Sequence, residues 1–113
     1  QEFITAVRYD LPIITVLVNN GTYGTIRMHQ EREYPGRVSA TDLTNPDFAA
    51  LARAYGGHGE TVTRQEDFAA AFARARDFGG LSLLELVLDP QALSTGATLD
   101  QTRAMGEASQ RRA

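Results

Sequence analysis

The sequence predicts an α/β fold in which helices cover both faces of a parallel sheet. Three strand-like segments alternate with segments of helical period along the 113 residues. The first, at residues 13–18, is a β-branched apolar run without alternation, which is typical of a strand buried on both faces of a parallel sheet. Helical segments lie between the strands, and helix-containing connections join parallel rather than antiparallel neighbours.

The N-terminal part of the chain contains a helix, the most apolar strand and a second helix. Residues 2–9 have apolar side chains at helical spacing, and Pro12 disfavours helix in the residue before it. The strand at 13–18 stops at Asn19–Gly21, because these residues tolerate unusual backbone angles. Residues 23–33 form the second helix, and a polar loop follows.

Capping residues and glycines delimit the remaining elements. A helix is expected to begin at the cap Asn45, with Pro46 at its first position, and to end at Gly56–Gly57; a strand at 60–62 follows it. The next helix is expected to begin with a Thr63/Glu66 capping box and to end at Gly79–Gly80, before a strand at 82–88. A short last helix is expected to be capped by Thr98 with Gln101. We therefore expect residues 1–90 to form one domain and residues 91–113 a tail. Its charged end, from Glu107 to Ala113, is expected to fray.

Composition excludes several classes of protein. The net charge of −3 provides no basic patch for nucleic acid, and the absence of cysteine excludes disulfides and thiolate metal sites. The longest apolar run, residues 11–18, is too short to span a bilayer, and residues 1–10 lack the pattern of a signal peptide. The sequence thus favours a cytoplasmic protein without nucleic-acid or membrane partners.

The turn after the first strand is the best candidate for a binding site. Ligands of open parallel sheets bind beyond the carboxyl ends of the strands. Residues 19–23 occupy such a position and lead into a helix, whose N-terminus favours an anion. Judged by these residues alone, a plain strand-ending turn is the commoner explanation.

The sequence around this turn resembles a known cofactor motif. Residues 16–24 read Val-Leu-Val-Asn-Asn-Gly-Thr-Tyr-Gly, which is similar to the second half of the thiamine-diphosphate motif, a motif that begins with Gly-Asp-Gly and ends with Asn-Asn. Ala6–Tyr9, Pro12 and Asn45–Phe48 stand in the order found in acetolactate synthases and benzoylformate decarboxylase. The resemblance runs from Gln1 to about Arg103. It identifies the chain as an incomplete C-terminal diphosphate-binding domain of these enzymes, truncated at its N-terminus.

The resemblance implies roles for five consecutive residues. Asn20, through its side-chain oxygen, and Thr22, through its backbone carbonyl, would bind Mg²⁺, which prefers hard oxygen donors. Gly21, Tyr23 and Gly24 would lie at the thiamine diphosphate. Both metal donors are neutral, and no Gly-Asp-Gly with its carboxylate precedes them in residues 1–18. The chain is therefore expected to hold half of the metal site.

The resemblance also implies an activity. An enzyme of this family acts on 2-keto acids, either joining them as acetolactate synthases do or decarboxylating them as the benzoylformate enzyme does. Pyruvate decarboxylases have a glutamate where Ile26 stands, so this residue disfavours that subgroup, although Ile26 is equally well explained as a helix-packing residue. A glutamate from a partner subunit activates the cofactor in this family, which implies a dimer or tetramer.

The beginning of the chain bears on whether it is active alone. Residue 1 is not methionine and no cap precedes the first helix, so we expect Gln1 to be an interior residue of a longer protein. Without the aspartate ligand and the activating glutamate, the isolated chain is expected to be catalytically inert, with an exposed sheet edge that favours self-association. A third possibility, an unrelated flavodoxin-like binding module, lacks a phosphate-binding loop.

Three other titratable residues are candidates for a functional site. His29 and His58 lack a second histidine at zinc-ligand spacing. We interpret His29 as part of a solvated helix face, although it could cover a substrate entrance, and His58 as part of a turn into a strand. Glu85 interrupts an apolar strand, and a structural ion pair explains it better than a role as a catalytic acid.

Overall fold

A computed structural model describes residues 1–94 and 96–112, which divide into two compact units. The first unit comprises Gln1–Asn19 and Asn45–Val87, and the second comprises Asn20–Thr44 and the chain from Leu88 onward. In chain order the elements are α1 (Phe3–Arg8), β1 (Ile14–Asn19), α2 (Gly24–Glu33), α3 (Phe48–Ala54), β2 (His58–Val62), α4 (Phe68–Phe78), β3 (Ser82–Val87) and α5 (Leu99–Gln110). Among the described residues, no helix has the length and apolar character needed to cross a bilayer.

The first unit is a parallel three-stranded sheet with helices on both faces. The strand order is β1-β3-β2, and both pairings are parallel. Leu84 of β3 packs with Ala71 and Ala75 of α4. On the opposite face, Gly59 of β2 lies against the Ala49 carbonyl of α3, so close that a Cβ atom would stand 2.0 Å from that oxygen. The predicted fold class is confirmed.

Within these 113 residues the first strand is not buried on both faces, contrary to what the sequence predicts. β1 is an edge strand, and Val16 and Val18 are 42% and 61% exposed. They align with Leu84 and Leu86 of β3 on the face that α4 covers over β2 and β3. The strand buried on both faces is β3, whose residues 82–85 are all buried. Apolar content alone therefore did not identify the central strand.

Several predicted element ends differ from those observed. Asp47, not Asn45, caps α3, since its carboxylate accepts the N–H of Ala50 at 2.7 Å. Thr63 and Glu66 form no capping box; a 3-10 turn at Gln65–Asp67 precedes α4, and Arg64 binds Glu66 instead. His58 begins β2 rather than lying in a turn. The Asn45 side chain instead binds Asn19, and the Glu66 carboxylate binds Arg64.

The second unit pairs α2 with α5 along a close contact. Thr98 and Gln101 form the predicted capping box at the start of α5. The helix is longer than expected, because it continues to Gln110 instead of fraying from Glu107; Ala113 lies outside the described residues. At Gly106 a Cβ atom would stand 2.5 Å from the Arg32 carbonyl oxygen, so only glycine allows the two helices to approach this closely.

Candidate functional site

The turn that follows β1 in the chain is organised by Asn20 and Gly21. The Asn20 side-chain oxygen accepts the backbone N–H of Thr22 at 3.2 Å, which is the arrangement of an Asx turn. Gly21 has φ +65°, a left-handed conformation that glycine adopts at little cost. The strand includes Asn19 and ends there, so the prediction that Asn19–Gly21 stops the strand is confirmed for Asn20 and Gly21. The turn brings Asn20 and Thr22 close together.

Two oxygen atoms of this turn fit a magnesium ion in donor chemistry. Asn20 Oδ1 accepts one hydrogen bond, from Thr22, and the Thr22 carbonyl accepts one, from the N–H of Gly24 at 2.9 Å. A carbonyl-type oxygen has two lone pairs, so each retains acceptor capacity. Both are hard, neutral donors, and Mg²⁺ prefers such oxygens in octahedral geometry. Within the described residues no group of three or more His, Cys, Asp or Glu side chains is arranged to hold a metal.

An open cleft of about 320 Å³ lies at the N-terminus of α2 and is lined by residues 22–26. The N-terminus of α2 carries partial positive charge, because its first N–H groups have no partners within the helix. This charge favours the binding of an anion in the cleft. Tyr23 and Ile26 are 52% and 53% exposed at this cleft. Ile26 therefore lines the cleft, and among the described residues its side chain is half exposed rather than packed.

Gly24, the first residue of α2, leaves room for the Asn20 side chain. A Cβ atom on Gly24 would stand 3.0 Å from Asn20 Nδ2 and 2.9 Å from a methyl group of Leu93. Alanine at this position would require the Asn20 amide and the Leu93 methyl group to shift by a few tenths of an ångström. The glycine that was predicted to lie at the cofactor thus leaves space beside the predicted metal ligand.

A second segment, residues 39–43, binds the turn and was missed by the sequence interpretation. Thr22 and Asp42 form an antiparallel bridge. The Thr41 carbonyl accepts the N–H of Tyr23 at 2.8 Å and the hydroxyl of Thr22 at 2.7 Å. Most of these contacts are made by backbone atoms, so the local sequence pattern does not predict them.

Glu85 makes hydrogen bonds rather than the ion pair that was expected. It is only 6% exposed, and its carboxylate accepts the Asn19 amide at 2.7 Å and the Thr61 hydroxyl at 3.1 Å. Asn45, which was predicted to cap α3, instead donates to the Asn19 side-chain oxygen at 2.8 Å. No Arg or Lys binds Glu85 among the described residues. Its role is to join the three strands of the first unit.

The two histidines lie outside the turn and its cleft. His29 is exposed, as predicted, with Nδ1 2.7 Å from the Arg32 guanidinium. His58 lies 3.4 Å from the Glu60 carboxylate, and the Arg74 guanidinium bound to Glu60 lowers the pKa of that carboxyl. Each histidine thus contacts a charged neighbour, and neither lines the cleft.

Comparison with models of protein families shows to which family the chain belongs. Residues 1–86 match the family model described as "Thiamine pyrophosphate enzyme, C-terminal TPP binding domain". The chain belongs to this family. Thiamine pyrophosphate (TPP) is another name for thiamine diphosphate, so the resemblance found in the Asn-Asn turn is confirmed.

Relatives within the TPP enzymes agree with this assignment. The chain is 39% identical over 90 residues to the acetolactate synthase isozyme 2 large subunit of Escherichia coli, covering 79% of this chain and 16% of that protein. It is 37% identical over 77 residues to the sulfoacetaldehyde acetyltransferase of Castellaniella defragrans, covering 68% and 13%. A crystal structure of benzoylformate decarboxylase from Polynucleobacter necessarius superposes with a TM-score of 0.66 at 26% identity, covering 78% of this chain and 17% of that one. This TPP-binding domain thus spans about one sixth of the relatives' length.

Proposed function

We propose that the gene product containing these residues is a thiamine-diphosphate- and Mg²⁺-dependent enzyme of the acetolactate synthase type, acting on 2-keto acids. The observation that carries the proposal is the pair of neutral oxygens, Asn20 Oδ1 and the Thr22 carbonyl, on one turn before the N-terminus of α2. A metal bound there would link the protein to the diphosphate, whose negative charge suits a helix N-terminus. The names of the acetolactate synthase relatives support the choice of reaction.

Five residues would contact the metal and the cofactor. Asn20 and Thr22 would be two of the magnesium ligands. Gly21 would allow the turn to bend, and Tyr23 and Gly24 would line the cleft beside the cofactor. Bound thiamine diphosphate would serve as the electron sink for the carbon that loses carbon dioxide, and the protein would orient it and shape its surroundings.

A decarboxylase of the benzoylformate type is the alternative reaction. The superposed structure supports it, and the apolar side chain of Ile26 in the cleft suits either enzyme, since neither needs a proton-transferring residue at that place. Product analysis with a 2-keto acid separates the two. The acetolactate synthase type yields a product with a new carbon–carbon bond, whereas the decarboxylase yields an aldehyde with one carbon fewer.

An assembly of several subunits is also part of the proposal. Several relatives are named as large subunits, which implies partner chains in those proteins. The 113 residues contain no Gly-Asp-Gly and hence no aspartate of that motif. We therefore propose that the chain by itself is catalytically inert and that a complete site needs additional protein segments.

Calorimetric titration with thiamine diphosphate tests the proposed metal ligands. Asn20→Ala is expected to raise the dissociation constant of the gene product at least about tenfold in the presence of Mg²⁺, because it removes a donor oxygen, and a tenfold change corresponds to about 1.4 kcal/mol. Asn20→Asp is the matched control, since it keeps an oxygen at the same place and should retain metal-dependent binding. The isolated 113-residue chain should bind more weakly than about 1 µM. Unchanged affinity of the alanine variant would remove Asn20 from the site, and tight binding by the isolated chain would refute its inertness.

A further inference from the structure

Residues 39–43 hold the cofactor turn in a short antiparallel pairing. The Tyr23 N–H binds the Thr41 carbonyl at 2.8 Å, and the Leu43 N–H binds the Gly21 carbonyl at 2.9 Å. Thr22 is 8% exposed and Thr41 1% exposed, so water competes little for these bonds. We call residues 39–43 the clasp.

The clasp determines the direction of the Thr22 carbonyl. The Thr22 carbonyl and the Tyr23 N–H belong to one peptide unit, which is planar and trans. In such a unit the C=O and N–H bonds point in opposite directions. Because the N–H points to Thr41, the Thr22 carbonyl must point away from the clasp. The Thr22 hydroxyl donates to the same Thr41 oxygen, so a rotation of the turn would break two hydrogen bonds.

The clasp is kept in an unfavourable conformation by its surroundings. Ala40 has φ +52°, a left-handed conformation that costs a non-glycine residue roughly 1 kcal/mol or more. The buried Thr41 hydroxyl has no hydrogen-bond partner among the described residues. Gln30 of α2 holds the segment with two bonds to Ser39, donating to its carbonyl at 2.8 Å and accepting its N–H at 3.0 Å. Strain of this kind persists where the surrounding contacts enforce one geometry.

We propose that the Thr22 hydroxyl and Gln30 are positioning residues that orient the Thr22 carbonyl for metal binding through the clasp. The inference rests on the proposed magnesium site. Mg²⁺ requires near-ideal octahedral geometry, whereas Ca²⁺ accepts six to eight ligands in flexible arrangements. A misdirected carbonyl therefore weakens Mg²⁺ binding more than Ca²⁺ binding. A general loss of stability would weaken both alike.

The test compares Thr22→Val with Thr22→Ser in the gene product, with metal titrations at saturating thiamine diphosphate. Both variants keep the backbone carbonyl, but only serine keeps the hydroxyl. Thr22→Val is expected to raise the Mg²⁺ dissociation constant by about tenfold, in the range found when partners of metal ligands are removed. The Ca²⁺ constant should change by less than about threefold, and serine should restore Mg²⁺ binding. Gln30→Leu removes both hydrogen bonds to Ser39 and should likewise raise the Mg²⁺ dissociation constant relative to the Ca²⁺ constant. This variant tests the positioning role if Thr22→Val does not fold.

Two results would overturn the inference. One is unchanged Mg²⁺ binding in Thr22→Val and Gln30→Leu, and the other is an equal loss for both ions. Asn20→Ala, measured in parallel, separates this inference from the proposed function. If that variant loses Mg²⁺-dependent binding while the other two keep it, only the positioning role is wrong. If all three keep it, the magnesium site itself is wrong.

Discussion

Replacing Glu31 with glutamine is expected to lower the free energy of unfolding by about 3 kcal/mol, the cost of breaking a buried ion pair. Glu31 of α2 is fully buried, and its two carboxylate oxygens receive four N–H groups. Arg103 of α5 donates to both oxygens, at 2.6 and 2.8 Å, Arg27 donates at 3.0 Å, and the Gly36 N–H donates at 3.1 Å. In glutamine one of these oxygens becomes an NH₂ group that faces donors, and the charge is lost. Chemical denaturation measures the change.

Glu33→Gln is the control on the same helix, because Glu33 is exposed and, in the part of the chain that the structure describes, forms an ion pair only with Arg32. Its effect should lie within about 1 kcal/mol. Hydrogen bonding to Arg103 is the main cause that lowers the Glu31 pKa from 4.5 to about 2. A carboxyl whose pKa is depressed in the folded state contributes stability above its unfolded pKa, and that stability is lost as the pH falls toward the folded value. The difference between wild type and Glu31→Gln should therefore shrink from pH 5 to pH 2. Equal effects of the two substitutions, or a difference that does not depend on pH, would contradict this account of Glu31.

Gly59→Ala is expected to destabilise the first unit by about 3 kcal/mol, at the upper end of the range for overpacking. The new Cβ atom would stand 2.0 Å from the Ala49 carbonyl oxygen and 2.8 Å from its carbon. These are backbone atoms of α3, so relief requires the whole helix to move from the sheet.

Gly96→Ala provides the comparison for Gly59. A Cβ atom there would meet only the Ser94 hydroxyl at 3.8 Å, an ordinary contact, so little change is expected. Thermal unfolding of both variants gives the answer. A Gly59→Ala protein as stable as the Gly96→Ala protein would show that α3 is not packed against β2 as described.

The elements of the fold could be predicted because their signals are local. Apolar patterns, capping residues and glycines located the helices and strands of the described residues, and Thr98 with Gln101 caps α5 as expected. The order of strands in the sheet has no such signal. The most apolar strand, β1, lies at an edge, while β3, which contains Glu85, lies in the centre. The centre accepts this carboxylate because two neighbouring strands each supply a hydrogen-bond donor.

The candidate site was predictable only where its residues are consecutive. Asn20 to Gly24 could be read as a motif, since the turn and the helix start follow each other in the chain. The Thr41 carbonyl, 19 residues from Thr22, is a backbone atom that every residue type has. Arg103 is 72 residues from Glu31, and the sequence interpretation assigned no partner to this carboxylate. Contacts of this kind arise from packing and become visible only in three dimensions.

The most direct test of the proposed site is a crystal structure of the gene product with thiamine diphosphate and Mn²⁺, which prefers the same oxygen ligands as Mg²⁺ and has a usable anomalous signal. We predict one anomalous peak bonded to both Asn20 Oδ1 and the Thr22 carbonyl oxygen, at distances near the roughly 2.1 Å typical of Mg²⁺. The diphosphate should complete the coordination beside the N-terminus of α2. A peak that has neither atom as a ligand, with the cofactor bound elsewhere, would contradict the account.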